Sequence, residues 1–403
     1  MAIQKITSGI IQDGAIAAAD IVSVANTAIT GNITSSQIAP DQTLNGNVSV
    51  TGTLSTPNTF GFKNRIINGG MVIDQRNAGA SVTPTNGQYT LDRWCANMFA
   101  NTGKFTVQQN AGAVTPPVGF TKYLGVTSTS SYSIGVGDIY TVFQIIEGFN
   151  IADLAWGTAN AKTVTLSFQV YSSLTGTFGG ALANAGTRSY PFTYSIPVAN
   201  TWTTISVTIA GDTSGTWATD NSSGIQLRLG LGVGSTYSTT ANSWAAGNYF
   251  SATGATSVVG TSGATFYITG VQLEKGSTAT SFDYRPYGTE LELCQRYFEK
   301  SYNMDVVAGT STNVGCERFM SPRTVTISSP DFTANSRFKT RKRSAPTTVV
   351  YSTTGASGNV RDASGAANVS ATTGEEGDTA FSLNFAITDA RLYAWQWTAS
   401  SEL

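Results

Sequence analysis

A chain of 403 residues is long enough for two or three domains, and only 12% of these residues are charged. The formal net charge is −1 and there is no histidine. The near-neutral balance excludes a global field drawing the chain to nucleic acid or an anionic membrane. The missing histidine excludes His-based zinc sites and Ser-His-Asp or Cys-His catalysis.

Gly, Ser, Thr, Ala and Asn are abundant between runs of Val, Ile, Thr and Tyr, which predicts an all-β protein. An aromatic content of 10% argues against disorder. Cys95, Cys294 and Cys316 are an odd number with no close pairing, so buried free thiols and assembly in a reducing cytoplasm are expected. Asp13 and Asp20 interrupt the first apolar stretch, so neither a signal peptide nor membrane insertion is expected.

Residues 1–59 have no aromatic side chain and only Lys5, Asp13, Asp20 and Asp41 as charges. Asp13 is placed to cap a short helix over Ala15–Val24. Beyond it, Ile29, Ile33, Ile38, Leu44, Val48, Val50 and Leu54 stand singly among small polar residues. So sparse an apolar set cannot offset an ordering entropy of roughly 1–2 kcal/mol per residue within one chain. Sharing the core between copies solves the problem. A slender intertwined β shaft, a homotrimer, is therefore expected over residues 31–59, with Asn32–Thr56 at its centre. A flexible linker is the other reading.

Residues 60–288 are patterned as a β-sandwich. In Thr163–Tyr171, Val164, Leu166, Phe168 and Val170 alternate with Thr163, Thr165, Ser167 and Gln169. Trp202–Ile209 repeats this with Ile205, Val207 and Ile209, and Ile225–Leu231 with Ile225, Leu227, Leu229 and Leu231. Strands of this length between Gly/Ser/Thr/Asn loops predict antiparallel sheets packed face to face. The closing strand begins at Phe266. Phe266, Ile268 and Gly270 share a face, then Val271 and Leu273 take over the apolar phase, which predicts a β-bulge at Gly270. Thr289 and Glu292 have capping-box spacing, so a bridging helix over Glu290–Phe298, within residues 289–302, is expected, with a Glu292–Arg296 pair. Residues 303–403 read as a C-terminal β-sandwich domain, a separate body with strands at Arg323–Ile327, Thr347–Tyr351, Phe381–Phe385 and Leu392–Trp397. Tyr393, Trp395 and Trp397 share one face.

Several of these segments carry a resemblance. Ile268-Thr-Gly-Val-Gln-Leu-Glu-Lys-Gly-Ser-Thr-Ala-Thr-Ser-Phe, running on to Cys294-Gln-Arg-Tyr-Phe, resembles the closing segment of jelly-roll domains of phage tail-fibre and related virion proteins. Those domains look like carbohydrate-binding modules. Asn64-Arg-Ile-Ile-Asn-Gly-Gly-Met-Val-Ile-Asp-Gln-Arg and Tyr89-Thr-Leu-Asp-Arg-Trp are similar to the family's opening segments. Leu174-Thr-Gly-Thr-Phe, the Trp202 strand and Gly211-Asp-Thr-Ser-Gly-Thr-Trp are similar to carbohydrate-binding jelly rolls. The run from Arg337 to Ser352 and the ending from Trp397 resemble the domains that follow such jelly rolls in phage fibres. The start, Met-Ala-Ile-Gln-Lys-Ile-Thr-Ser-Gly-Ile-Ile, resembles N-termini of cyanophage structural proteins. The resemblance implies a central jelly roll, a virion-attachment segment over residues 1–30 that docks on other tail or virion proteins, a place in the virion tail, and host-surface glycan as the ligand. The alternatives are a decoration or tail-adaptor protein that binds no sugar, and a glycan-cleaving tailspike.

Sugar binding needs an aromatic plane for the pyranose C–H face, with amides, carboxylates or hydroxyls for its hydroxyl groups. The polar, Gly-rich loops offer Trp217 with Asp220 and Asn221, and Tyr237 with Trp244 and Asn248. Trp94 and Trp202 lie in strand-like segments and are assigned to the core. The basic run Arg337, Lys339, Arg341, Lys342 and Arg343 suits acidic sugars or phosphate, or else guards an exposed edge strand with its charges. Asp212, Asp220, Glu274 and Asp283 are carboxylates, but no motif marks a nucleophile and there is no solenoid repeat, so no enzyme is expected. No Asp-x-Asp-x-Asp run occurs, and no metal or cofactor is expected.

Overall fold

The computed structural model describes residues 62–99, 101–323 and 327–403. The expected attachment segment (1–30) and shaft (31–59) lie outside the described residues, as does most of the expected Arg323–Ile327 strand.

The described chain is almost wholly β. Two antiparallel sheets face each other across one core. The first has seven strands in the order Gln88–Leu91, Trp94–Phe99, Ile139–Glu147, Ser223–Val233, Gly176–Ala183, Arg188–Ile196 and Ala245–Ala246. The second has five, ordered Phe105–Gln109, Leu124–Ser128, Thr265–Lys275, Val164–Ser172 and Thr203–Ile209. Alternation decides which residues turn inward. Val164, Leu166, Phe168, Val170, Phe266 and Ile268 meet Phe178, Leu182, Phe192, Leu227 and Leu229 in the shared core.

The expected bulge is present. Gln169 pairs with Thr269 and Ser167 with Gln272, so Gly270 and Val271 together oppose the single residue Phe168. Gly270 is left-handed (φ 63°), and a Cβ there would lie 2.5 Å from Cζ of Phe120. The phase change keeps Phe266, Ile268, Val271 and Leu273 all in the core. Beyond the bulge, Gln272 and Glu274 point away from the core and are nevertheless buried. Residues 277–283 fold back over them: Thr280 donates its N–H to Glu274 (2.8 Å) and its hydroxyl to the same carboxylate (2.7 Å), and Asp283 N donates to Gln272 (2.8 Å).

The α-helix spans Tyr287–Gln295 rather than Glu290–Phe298. Pro286, with φ of −52°, launches it, so Thr289 falls inside the first turn and caps nothing. Glu290 is claimed by Arg285 (3.1 Å) and by the N–H of Asn68. Arg296 pairs with Glu147 (3.0 and 2.6 Å) and not with Glu292. Phe298 opens a strand, Phe298–Lys300, against Thr398–Ser400.

The C-terminal strands form one eight-stranded sheet in which Leu392–Ser400 pairs with Phe298–Lys300 and Glu317–Met320, and with Thr347–Ser352 and Asn359–Asp362. Tyr393, Trp395 and Trp397 do share a face and form the core with Phe381, Leu383 and Phe385. This sheet is fastened to the sandwich by buried polar groups. Glu402 pairs with Arg76 (2.6 Å) and with Arg93, whose guanidinium lies 3.5 Å from the centre of the Tyr297 ring. The Tyr297 hydroxyl donates to Glu147 (2.7 Å), and Gln75 donates to Phe298 O (2.9 Å). Cys95 and Cys294 are buried free thiols, and Cys316 is a half-buried one.

Asp92 lies in the same junction and accepts from Gln75 N (2.7 Å) and Nε2 (2.6 Å). Burial pushes its carboxyl up to about 6, against these hydrogen bonds. The folded state therefore holds this proton more tightly than the unfolded one. The contribution is fully present below the unfolded value near 3.8 and is lost as pH rises through 6. Between about pH 4 and pH 7 the unfolding free energy is expected to fall by roughly 3 kcal/mol through this group. Urea unfolding at several pH values checks this: Asp92→Asn should lose that slope whatever its absolute stability.

Candidate functional site

The outer face of the five-stranded sheet carries an aromatic cluster drawn from four adjacent strands or their ends. Tyr267 and Tyr171 are cross-strand partners, and their rings stack 5.4 Å apart with planes 5° from parallel. Tyr123, just before the Leu124–Ser128 strand, stacks on Tyr267 at 5.1 Å. Trp202, just before Thr203–Ile209, closes the ring of contacts at 5.5 Å from both Tyr171 and Tyr123. Gly125 makes room for the cluster, since a Cβ there would meet Ala111 at 2.5 Å and Tyr267 at 3.0 Å.

The loop before Tyr123 covers half of this cluster. Val114 N donates to the Tyr123 hydroxyl (2.9 Å), and Trp202 Nε1 donates to Thr115 O (2.8 Å). Tyr123 and Tyr267 are buried as a result, and burial pushes both phenols above the usual tyrosine range, so they stay neutral. Tyr171 and Trp202 stay half-exposed. Their supporting rings hold them in place, so little side-chain entropy remains to be lost on binding.

Beside them along the same face lie Gln169 and Thr204, whose amide and hydroxyl bond each other (Nε2 to Oγ1 2.9 Å), and then Ser167 and Ser206. Aromatic carbon, an amide and hydroxyls on a rigid sheet match the C–H face and hydroxyl edge of a sugar. They supply neither a nucleophile–base pair nor an acid.

The residues singled out from sequence lie elsewhere. Trp217 is only 7% exposed, and it meets Trp156 at 4.7 Å and Trp244 at 5.5 Å, edge to face. Tyr190 packs on Trp244 at 5.3 Å. The structure thus joins the two expected clusters through Trp217, which is in the core, and Trp244, which packs on it and is half-buried. The indole N–H groups are used internally: Trp156 donates to Lys162 O (2.7 Å), Trp217 to Asp212 (3.2 Å) and Trp244 to Ala210 O (2.8 Å). Tyr237 packs edge-on against Phe99 and Phe250, and Asn248 is exposed apart from these rings. Asp220 caps its own loop through Ser222 N (2.9 Å), and these bonds hold its carboxyl below the usual aspartate range. Asn221 exchanges bonds with the backbone of Arg343 and with its guanidinium (3.2 and 2.8 Å).

Along the basic run Arg337, Lys339 and Arg341 are exposed, Arg343 is half-buried and Lys342 is buried. Only Arg337 is in a strand, at the edge of the C-terminal sheet. Lys339 is exposed, and its N–H donates to Glu299 (2.9 Å). Arg341 pairs with Asp378 (2.6 Å). Lys342 is fully buried against Glu299, and Arg343 donates to the backbone oxygens of Ser401 (2.9 Å) and Glu402 (3.0 Å). Exposure alternates along the run, with Arg337, Lys339 and Arg341 outward and Phe338, Thr340 and Lys342 turned inward.

The four carboxylates considered for catalysis are each engaged within the fold. Asp212 pairs with Arg188 (2.9 and 2.5 Å), Asp220 with its loop, Glu274 with Thr280, and Asp283 accepts from Asn64 N (3.2 Å).

Trp202, expected in the core, lies instead half-buried on the outer face. The signal was its parity: Trp202 is in phase with Thr204, Ser206 and Thr208, opposite Ile205, Val207 and Ile209. Tyr171 likewise shares the phase of Ser167 and Gln169, and Tyr267 is out of phase with Phe266 and Ile268.

No family model matches this chain, and no curated protein does. Several solved structures are similar to parts of it. One is the enzymatically active domain of bacteriophage CBA120 tailspike protein 4, at 13% identity over 53% of this chain, with a TM-score of 0.28. The match spans 22% of that protein's length. Another is described as a putative sugar binding protein from Bacteroides thetaiotaomicron, at 13% identity over 53% of this chain and 100% of that one, with a TM-score of 0.29. A third is a family 11 carbohydrate-binding module from Clostridium thermocellum, at 12% identity over 51% of this chain and 98% of that one, with a TM-score of 0.24.

Proposed function

We propose that this chain is a phage tail fibre or receptor-binding protein that binds a host-surface glycan on the outer face of its five-stranded sheet. The observation that carries the binding site is the pair of half-exposed, internally braced rings, Tyr171 and Trp202, beside the Gln169–Thr204 amide and hydroxyl. The virion role rests on the sequence resemblance, and trimerisation on the sparse apolar pattern of residues 31–59. Three copies of a shallow site gain avidity, so each needs only modest affinity. The protein binds without cleaving, is assembled in the host cytoplasm, and works in the virion tail.

Trp202→Ala and Tyr171→Ala are each expected to weaken glycan binding by about tenfold or more, a loss of about 1.4 kcal/mol. Gln169→Ala should cost less. Binding of purified protein to arrayed bacterial surface polysaccharides, with far-UV circular dichroism as the folding control, reads this directly. Wild-type protein added before infection should also block phage adsorption. Unblocked adsorption by a confirmed trimer would favour a decoration role instead.

A further inference from the structure

A second set of rings surrounds a pocket of about 240 Å³ lined by Gly70, Phe120, Phe282, Tyr284, Tyr287 and, at its polar end, Asp283, Arg285 and Glu290. The bulge builds one wall, because the absence of a Cβ at Gly270 is what lets the Phe120 ring settle against the strand. Phe282 packs edge-on to Phe120 at 5.1 Å, and Tyr284 to Phe282 at 4.8 Å. Tyr284 is 59% exposed, yet its hydroxyl is tied down by donating to Gly119 O. Tyr287, 54% exposed, stands at the start of the helix. Both rings face solvent.

The polar end is incompletely satisfied. Arg285 has a side chain only 5% exposed, and its terminal nitrogens bond Glu290 (3.1 Å), Ile66 O (3.3 Å) and Asn64 O. Its buried Nε has no acceptor among the described residues. A buried donor without a partner is uncommon and costly. One Asp283 oxygen accepts from Asn64 N (3.2 Å), and the other has no donor among the described residues.

We infer that this pocket is a separate binding site for a single neutral pyranose, a terminal or branch residue of a glycan. The inference rests on the glycan-binding reading above. The volume is below the roughly 300–1,000 Å³ typical of sites for drug-sized ligands, which suits one ring. Apolar ring faces take the C–H side of the sugar. The open Asp283 oxygen accepts from a hydroxyl, and Arg285, its terminal nitrogens bonded within the fold, fixes the polar end of the pocket. Two carboxylates against one guanidinium disfavour acidic sugars.

Saturation-transfer NMR with the methyl glycosides of glucose, galactose, mannose and N-acetylglucosamine, and with methyl glucuronide, tests this on the full-length protein. Transfer to at least one neutral glycoside is expected, with none to glucuronide. Tyr287→Ala and Asp283→Asn should each weaken it by about tenfold, in the Trp202→Ala background as well as in the wild type. The inference is overturned if no neutral glycoside receives saturation, if glucuronide binds better, or if Trp202→Ala abolishes the signal while Tyr287→Ala does not. The two readings fail separately. Loss of polysaccharide binding in Trp202→Ala with no monosaccharide signal sinks the pocket alone. A monosaccharide signal sensitive to Tyr287, with polysaccharide binding indifferent to Trp202 and Tyr171, sinks the sheet-face site alone.

Discussion

Replacing Trp217 by alanine is expected to lower the unfolding free energy by about 3–5 kcal/mol. Glycan binding by the protein that remains folded should be unchanged. Trp217 sits edge to face with Trp156 (4.7 Å) and Trp244 (5.5 Å), and its indole donates to Asp212 and to Ser214 O (3.3 Å). Truncation removes a whole indole from that end of the core, and close-packed neighbours relax into such a gap only partly. Asp212 is not left unpaired, because both of its oxygens still accept from Arg188. The loss should therefore be a cavity cost and not an electrostatic one. Trp217→Phe, which keeps most of the volume, should recover more than half of it. Urea midpoints measured beside polysaccharide binding separate the two roles. A variant as stable as wild type that no longer binds glycan would place the sugar on Trp217 after all.

The second large effect is expected at the buried pair of Lys342 and Glu299, both with side chains 0% exposed. The Lys342 ammonium donates to Glu299, to Gln295 O (2.6 Å) and to Thr340 O (3.0 Å), and it lies 4.9 Å from the centre of the Phe338 ring. Burial lowers the Lys342 pKa below the usual lysine range, against the pull of Glu299. Lys342→Met would leave the Glu299 carboxylate uncompensated away from water, and breaking such a pair from one side costs about 3–5 kcal/mol. Glu299 also accepts the N–H groups of Lys339 (2.9 Å) and Thr340 (3.3 Å), so a neutral acceptor there remains useful. Adding Glu299→Gln to Lys342→Met should therefore restore a good part of the loss. Thermal unfolding of the two variants decides the matter. A double variant no more stable than the single one would show that lost packing around Phe338, and not a stranded charge, causes the damage.

The site residues expected from sequence and the proposed sheet-face site differ in whether alternation reaches them. The pattern in Val164–Ser172 and Thr203–Ile209 correctly told inside from outside, and carried one residue further it already placed Tyr171 and Trp202 outside. A tryptophan in a strand more often packs in the core, but here its parity places it outside. Trp217, Asp220 and Asn221 lie in loops, where no period tells inward from outward, and composition alone made them look available. In the basic run the parity of Arg337, Lys339 and Arg341 does follow alternation, and only the partners of Lys342 and Arg343 follow from the junction they enter.

By itself the sequence determined the all-β class, the inward faces of the long strands, and the bulge at Gly270. Each of these follows from local backbone geometry and the two-residue period of a strand. It also determined that no histidine chemistry operates here. Only the tertiary structure decided which outward aromatics are braced by neighbours on other strands, which loop covers half of them, and which charges are spent in the junction. It also decided what Glu290 in the first turn of the helix bonds, namely Arg285 and the N–H of Asn68, a residue more than two hundred positions away in the chain. Burial and partnership of that kind depend on contacts between distant segments, and no local pattern encodes them.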